Sequence, residues 1–261
     1  GNRLAFSTDF SGFREYTLRV KDLVSGDVLP LAVEKTRSVA WAADCETLFY
    51  VTEDDAKRAS RVWRHRLGTD DHALVYEESD VRFSVGVDLS RSLGYLMITS
   101  HSATASEVRC LRADRPEDAP RLVVARRAEH EYYLYHHGTH FYIVTNDRGR
   151  NFRLVRAPVD DCGEQHWEEV VAHRDDTMLE GVDVFARHLV LHERSGGFPR
   201  FAIMRIADGE RHDMEFPEPA YSAFAGANAE FDTDVFRFAY ESFVTPDSVY
   251  DYDMQTRERT L

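Results

Sequence analysis

Between positions 141 and 159 the chain reads FYIVTNDRGRNFRLVRAPV, two runs of alternating apolar and polar residues joined by Asn146, Asp147, Arg148, Gly149 and Arg150. Alternation at period two marks a strand with one buried face, and a polar, glycine-bearing turn between two such runs predicts a β-hairpin. The same strand, turn, strand pattern begins again at Leu4, Leu48, Tyr95, Leu189 and Phe236, so that successive units are 44, 47, 46, 48 and 47 residues apart. A regular period of that length signals a repeat architecture.

Each repeat resolves into short strands, labelled A to D in chain order. The second unit is complete, with strands predicted at 38–43, 48–52, 62–67 and 73–76. The third follows at 83–87, 95–99, 107–111 and 122–124, the fourth at 132–135, 141–145, 152–156 and 167–171, and the fifth at 182–185, 189–192, 201–206 and 211–216. The sixth runs from Tyr221 through 235–240 and 248–254 to the last residues. The first unit offers strands only at 4–10, 16–23 and 28–33, so its A strand is absent. Helical periodicity is not sustained anywhere over a useful length. Four strands per unit of about 45 residues is the signature of a β-propeller blade. The fold class is therefore all-β, a propeller with six blade repeats of which the first is incomplete. No Pro-, Gly- or Ser-rich stretch exceeds turn length, so residues 1–261 read as a single domain.

Composition changes this picture little. At 261 residues and 43% apolar content, the chain can bury a sizeable core. Its formal charge of −14 is spread in short mixed clusters, which argues against nucleic acid or an anionic membrane as partner. Cys45, Cys110 and Cys162 lie far apart without a C-x-x-C pair, so reduced, buried thiols are expected rather than a disulfide framework or a zinc knuckle. No apolar run approaches the ~18 residues of a transmembrane helix, and no signal peptide or N-x-S/T acceptor is visible. The expected location is cytoplasmic. Because the chain opens at Gly1 on residues that are already strand-like, it is expected to be part of something longer.

The search for chemistry returns mostly negatives. His136, His137 and His140, with His130 nearby, are too closely tied to the turn at Gly138 and Thr139 to converge on a metal with a carboxylate, and are read as exposed turn histidines. No G-x-S-x-G elbow occurs that could expose a serine nucleophile. Glu77-Glu78, Glu168-Glu169, Asp175-Asp176 and Asp54-Asp55 fall at strand ends or turns and are read as solvated, since paired catalytic acids must face each other across a pocket. Trp41, Trp63 and Trp167 sit within or beside strands, where core packing is the default. No cofactor motif is present: neither a phosphate loop, nor a dinucleotide fingerprint, nor an EF-hand loop.

Seven strings nevertheless carry a family resemblance: VWRHRLGT (62–69), LVYEE (74–78), SEVR (106–109), NFRLV (151–155), WEEVVAHR (167–174), EPAY (218–221) and TPDSVYDYDMQTRER (245–259). In order, and over essentially the whole chain, they resemble the oligopeptidase B group of the prolyl oligopeptidase family of serine peptidases. The resemblance implies a seven-bladed propeller without sealed closure, set as a size-selecting lid over an α/β-hydrolase domain that cuts short peptides after Arg or Lys. That domain, with its Ser-His-Asp machinery and its acidic pockets for the basic side chain, is expected after Leu261. Residues 1–261 alone are then non-catalytic. The partners implied are the catalytic domain and, for the parent enzyme, short basic peptides. A free-standing propeller used for protein interaction is the alternative, disfavoured by the missing A strand. A propeller enzyme with a central site lacks both repeated Asp-box turns and a metal cluster.

Because strands A to D run antiparallel, the B–C turns and the D–A connections share one end of every sheet. A domain continuous with the last D strand docks at that end. This places Arg14, Lys57, Arg58, Glu107, Asp147, Arg148, Glu193 and Arg194, on or beside B–C turns, and Glu34, on a D–A connection, at the expected interdomain cleft. By resemblance, Arg14 and Glu34 fall where oligopeptidase B uses charged propeller residues to hold the closed, active arrangement.

Overall fold

A computed structural model describes residues 1–261, and every regular element in it longer than one turn is a β-strand. By packing, the chain divides into two compact units, Gly1–Glu129 and His130–Leu261.

The first unit contains three antiparallel sheets. One has three strands, β1 (Arg3–Thr8), β2 (Thr17–Asp22) and β3 (Val28–Val33). The next has four, β4 (Thr36–Trp41), β5 (Thr47–Glu53), β6 (Ala59–Arg66) and β7 (His72–Glu77), and the third has β8 (Ser84–Leu89), β9 (Tyr95–His101), β10 (Ser106–Arg112) and the short β11 (Arg121–Leu122). In the second unit the sheets are β12 (Tyr132–His137), β13 (His140–Thr145), β14 (Arg153–Pro158) and β15 (Glu168–Val171), then β16 (Thr177–Val184), β17 (His188–Ser195), β18 (Phe198–Arg205) and β19 (Arg211–Asp213). The last sheet is β20 (Tyr221–Ala225), β21 (Val235–Ser242), β22 (Ser248–Asp253) and β23 (Arg259–Thr260). All six sheets are simple meanders in sequence order, the building block of a propeller. The first sheet begins at strand B, as the missing A strand predicts.

The second strands β5, β9, β13 and β17 explain where the apolar pattern departs from alternation. In β17, Leu189 and Leu191 join a core shared with Tyr142, Val144 and Leu154 of the preceding sheet, while Val190 joins a core shared with Phe236, Phe238 and Tyr240 of the following sheet. One strand thus feeds two cores, and each of its faces is covered. The same holds by burial for β13, where Phe141 to Thr145 are all buried, so the alternation expected for 141–145 is not observed. In the first unit, Ala40, Phe49, Val51 and Val62 pack against Val85, Val87, Leu96 and Ile98 across the facing sheets. Each fully buried Val, Leu, Ile or Phe contributes roughly 1.5–3 kcal/mol. Edge-to-face rings add specificity, as between Phe201 and Phe236, whose centroids lie 5.0 Å apart at 74°.

Local chemistry moves several element ends. β1 stops at Thr8 rather than Phe10, because the Asp9 carboxylate accepts the amides of Ser11, Gly12 and Arg14 and folds the chain into a loop. His136, His137 and His140 lie within β12 and β13, with only Gly138 and Thr139 in the turn, and are half-buried rather than exposed. His137 reaches the Ala186 carbonyl at 2.9 Å, and burial pushes the His136 imidazole below its ordinary value. Cys110 and Cys162 are buried, but Cys45 is exposed, in a turn at φ 56°.

In this chain β1 pairs only with β2. The Leu23 amide donates to the Asn2 carbonyl, so by alternation the amides of Leu4, Phe6 and Thr8 point at β2, and those of Arg3, Ala5 and Ser7 point at the open edge. Hydrogen exchange on residues 1–261 should show slow amides at Leu4 and Phe6 and fast ones at Ala5 and Ser7. Equal protection at all four would show that another strand covers the edge.

Candidate functional site

The nine charges expected at the B–C and D–A end separate into two groups once their contacts are traced. Seven of them are spent inside the chain. In the first unit, Arg58 donates from Nε to Asp54 at 3.0 Å and from Nη1 to the carbonyls of Glu78 and Phe83, both at 3.0 Å, tying its turn to the connection between β7 and β8. Lys57, at φ 61°, donates to the Phe13 carbonyl at 2.9 Å and lies 3.7 Å from Glu15. Glu107 is 5% exposed and pairs with Arg109. Its other oxygen accepts the Arg126 amide at 3.1 Å.

In the second unit, Asp147 takes both arms of Arg153, at 2.8 and 2.7 Å, and Arg148 reaches Glu169 at 3.4 Å. Burial pushes the Asp147 carboxyl up, but the Arg153 guanidinium outweighs it and leaves the group below its ordinary value. Glu193 is 3% exposed between Arg174 and Arg211, the latter at 2.9 Å, while Arg194 pairs with Glu180. Glu107 and Glu193 therefore do not present charge to solvent as expected. They sit on the ends of strands whose faces are covered, and each needs its arginines to offset the loss of hydration.

Arg14 and Glu34 form the second group. Arg14 stands exposed at φ 59°, anchored only through its amide to Asp9 at 2.8 Å, and Glu34 stands exposed between β3 and β4. Neither side chain makes an ion pair within the chain.

Sequence reasoning missed the centre of the first unit's network. Glu78, read as solvated, has a side chain with no exposure. It accepts Arg126 in a fork at 2.9 and 3.0 Å, the Tyr76 hydroxyl at 2.9 Å and the Asp80 amide at 2.9 Å. Arg126 also lies 4.1 Å over the Phe83 ring, and Arg109 lies 4.4 Å over Tyr76. Beside this network opens a cavity of about 580 Å³, lined by Arg82, Phe83, Thr104, Arg126, Arg127 and Glu129 among others. A signal for the network did exist: Glu53, Glu107, Asp147 and Glu193 recur at the B–C end of successive repeats. Glu53, Glu107 and Asp147 pair within their own repeat, with Arg37, Arg109 and Arg153, whereas Glu78 takes Arg126 from a connection 48 residues further on, which no period reveals. No group of three metal-ligating side chains converges anywhere in the structure.

Burial pushes the Glu78 carboxyl up, but Arg126, the Asp80 amide and the Tyr76 and Ser100 hydroxyls hold it below its ordinary value of 4.5. A carboxyl depressed in the fold contributes its stability in full above its unfolded value and loses it as pH falls through the folded one. Arg126→Ala should therefore cost about 3 kcal/mol at pH 7 by stranding a buried charge. The cost should shrink towards pH 4, where Glu78 takes up a proton in the variant. Urea unfolding at the two pH values checks this, and an equal loss at both would contradict it.

The whole of residues 1–261 matches the family model described as the prolyl oligopeptidase N-terminal β-propeller domain. Among curated relatives, the chain is 37% identical over 261 residues to dipeptidyl aminopeptidase BI of Pseudoxanthomonas mexicana, covering 98% of this chain and 36% of that protein. It is 30% identical over 263 residues to protease 2 of Moraxella lacunata, covering 99% and 38%. The structure of oligopeptidase B from Leishmania major superposes with a TM-score of 0.92 at 28% identity, over 99% of this chain and 38% of that one. The chain thus spans little more than a third of the length of these relatives. With its meander sheets, its repeat period and a likeness that runs end to end, the chain belongs to the prolyl oligopeptidase family, whose N-terminal β-propeller domain it forms.

Proposed function

We propose that this propeller is the gating lid of a serine oligopeptidase that hydrolyses short peptides after Arg or Lys, and that Arg14 and Glu34 latch it to the catalytic domain. The observation that carries the reading is the division among the nine charges: seven are consumed within the chain, and the two left unpaired are those that the resemblance to oligopeptidase B associates with the closed arrangement. An unpaired charge at a surface loop has little effect on the propeller itself, whereas one facing an opposite charge on another domain biases the closed state. Closure of a lid completes the site and excludes water and oversized substrates. The free thiols of Cys45, Cys110 and Cys162 suit a reducing, cytoplasmic setting.

A second reading, an enzyme that releases dipeptides from a free N-terminus, is favoured by the 37% identity to dipeptidyl aminopeptidase BI. An N-terminally blocked arginyl chromogenic substrate separates the two, since only an endopeptidase accepts it. In the full-length enzyme we expect cleavage of that substrate, and Arg14→Ala should lower turnover several-fold at low salt. The difference should fade towards 1 M salt, where screening acts over ~3 Å. Turnover equal to the parent at low salt would remove Arg14 from the latch, and failure to cleave any blocked basic substrate would favour the dipeptide-releasing reading.

A further inference from the structure

We propose that residues 9–14 form a preshaped aromatic knob whose Phe10 and Phe13 rings seat in an apolar recess of the catalytic domain of the parent peptidase, an inference that rests on the oligopeptidase reading above. Phe10 is 91% exposed and Phe13 68%. The other two B–C turns of the first unit, at 54–58 and 102–105, carry no large apolar side chain. Each ring left in water forgoes the gain that a buried phenylalanine makes. Two such rings three residues apart on one small loop mark a surface that is covered in use.

The loop is held in shape before anything docks. Asp9 Oδ1 accepts the amides of Ser11 and Gly12 at 2.9 and 3.0 Å and the Ser11 hydroxyl at 2.8 Å, and Oδ2 accepts the Arg14 amide at 2.8 Å. The Ser11 hydroxyl oxygen in turn accepts the Phe13 amide at 3.1 Å. Gly12 at φ 72° and Arg14 at φ 59° make the left-handed steps that close the loop. From the neighbouring sheet, Lys57 fixes its far side, with Nζ on the Phe13 carbonyl and 3.6 Å from the centroid of the Phe13 ring. A loop pinned by six donors loses little conformational freedom on docking, so more of the burial energy of its rings appears as affinity.

The occupant follows from position and length. The knob projects from the end of the first sheet where the chain crosses from β3 to the next sheet, the end at which the reading above places the catalytic domain. The relatives devote more than 60% of their length to what this chain does not contain. Arg14 closes the same loop, which puts a charged latch at the rim of an apolar anchor, the arrangement in which a few central side chains dominate an interface.

The test uses the full-length enzyme with Phe10→Ser/Phe13→Ser, the conservative Phe10→Leu/Phe13→Leu pair, and Lys57→Met. Small-angle scattering should show the serine pair more open than the parent. Its kcat/KM on the blocked arginyl substrate should fall about tenfold, with the melting temperature of the propeller unchanged. The leucine pair should stay closed and active, and Lys57→Met should fall between the two. A serine pair that scatters and cleaves like the parent overturns the proposal, as does one that splits a dimer into monomers that are still closed, because the rings would then be meeting a second copy. Opening of the serine pair in an enzyme that cleaves no basic substrate would uphold the knob and defeat only the assignment of substrate.

Discussion

A strand covered on both faces leaves its chain little choice of partners, and β5, β9, β13 and β17 are of that kind, whereas β21 keeps one face open. β17 sends Leu189 and Leu191 one way and Val190 the other, into two separate cores. A sheet built so cannot stand alone, because each face depends on the next sheet for cover. The repeat period, the short turns and the tolerance of a three-stranded first sheet all follow from that dependence, since stability comes from stacking neighbours as much as from any single meander.

Face-to-face stacking creates a second problem at the ends of the strands, where polar connections must cross between sheets whose faces are dry. The structure meets it with arginine and carboxylate clusters. Glu78 joins Arg126, Tyr76 and Asp80 around one such crossing in the first unit, and Glu193 joins Arg174 and Arg211 around another in the second. These groups are costly to bury singly and serve only as sets. Their position at the end where the B–C turns lie does not make them functional charges. It makes that end stiff, and what remains free on it can be read as available to a partner.

Stiffness and availability meet in residues 9–14. The Asp9 carboxylate that ends β1 also shapes the loop that displays Phe10, Phe13 and Arg14, so one side chain both terminates a strand and organises an exposed surface. Lys57, drawn from the next sheet, couples that surface to the scaffold.

By itself the sequence determined the fold class, the six repeats, the absent first A strand and nearly every strand within a few residues, because hydrophobic period and turn chemistry are local and repeat. It also carried the family likeness. Tertiary structure alone decided which charges are spent. Glu78 and its neighbour Glu77 look alike in sequence, yet one is enclosed by Arg126 from 48 residues away, Tyr76 and the Asp80 amide, and the other pairs with Arg61 in the open. Glu107 and Glu193 likewise look like turn charges, yet both are buried, one against Arg109 and the Arg126 amide and the other between Arg174 and Arg211. Arg14 and Glu34 look no different in sequence, and they stay unpaired because no arginine or carboxylate from another strand reaches them. Burial and pairing at a sheet's end depend on which side chains fold back over it from the connections, as Arg126 does at Glu78 and Arg174 at Glu193, and those contacts leave no period in the chain.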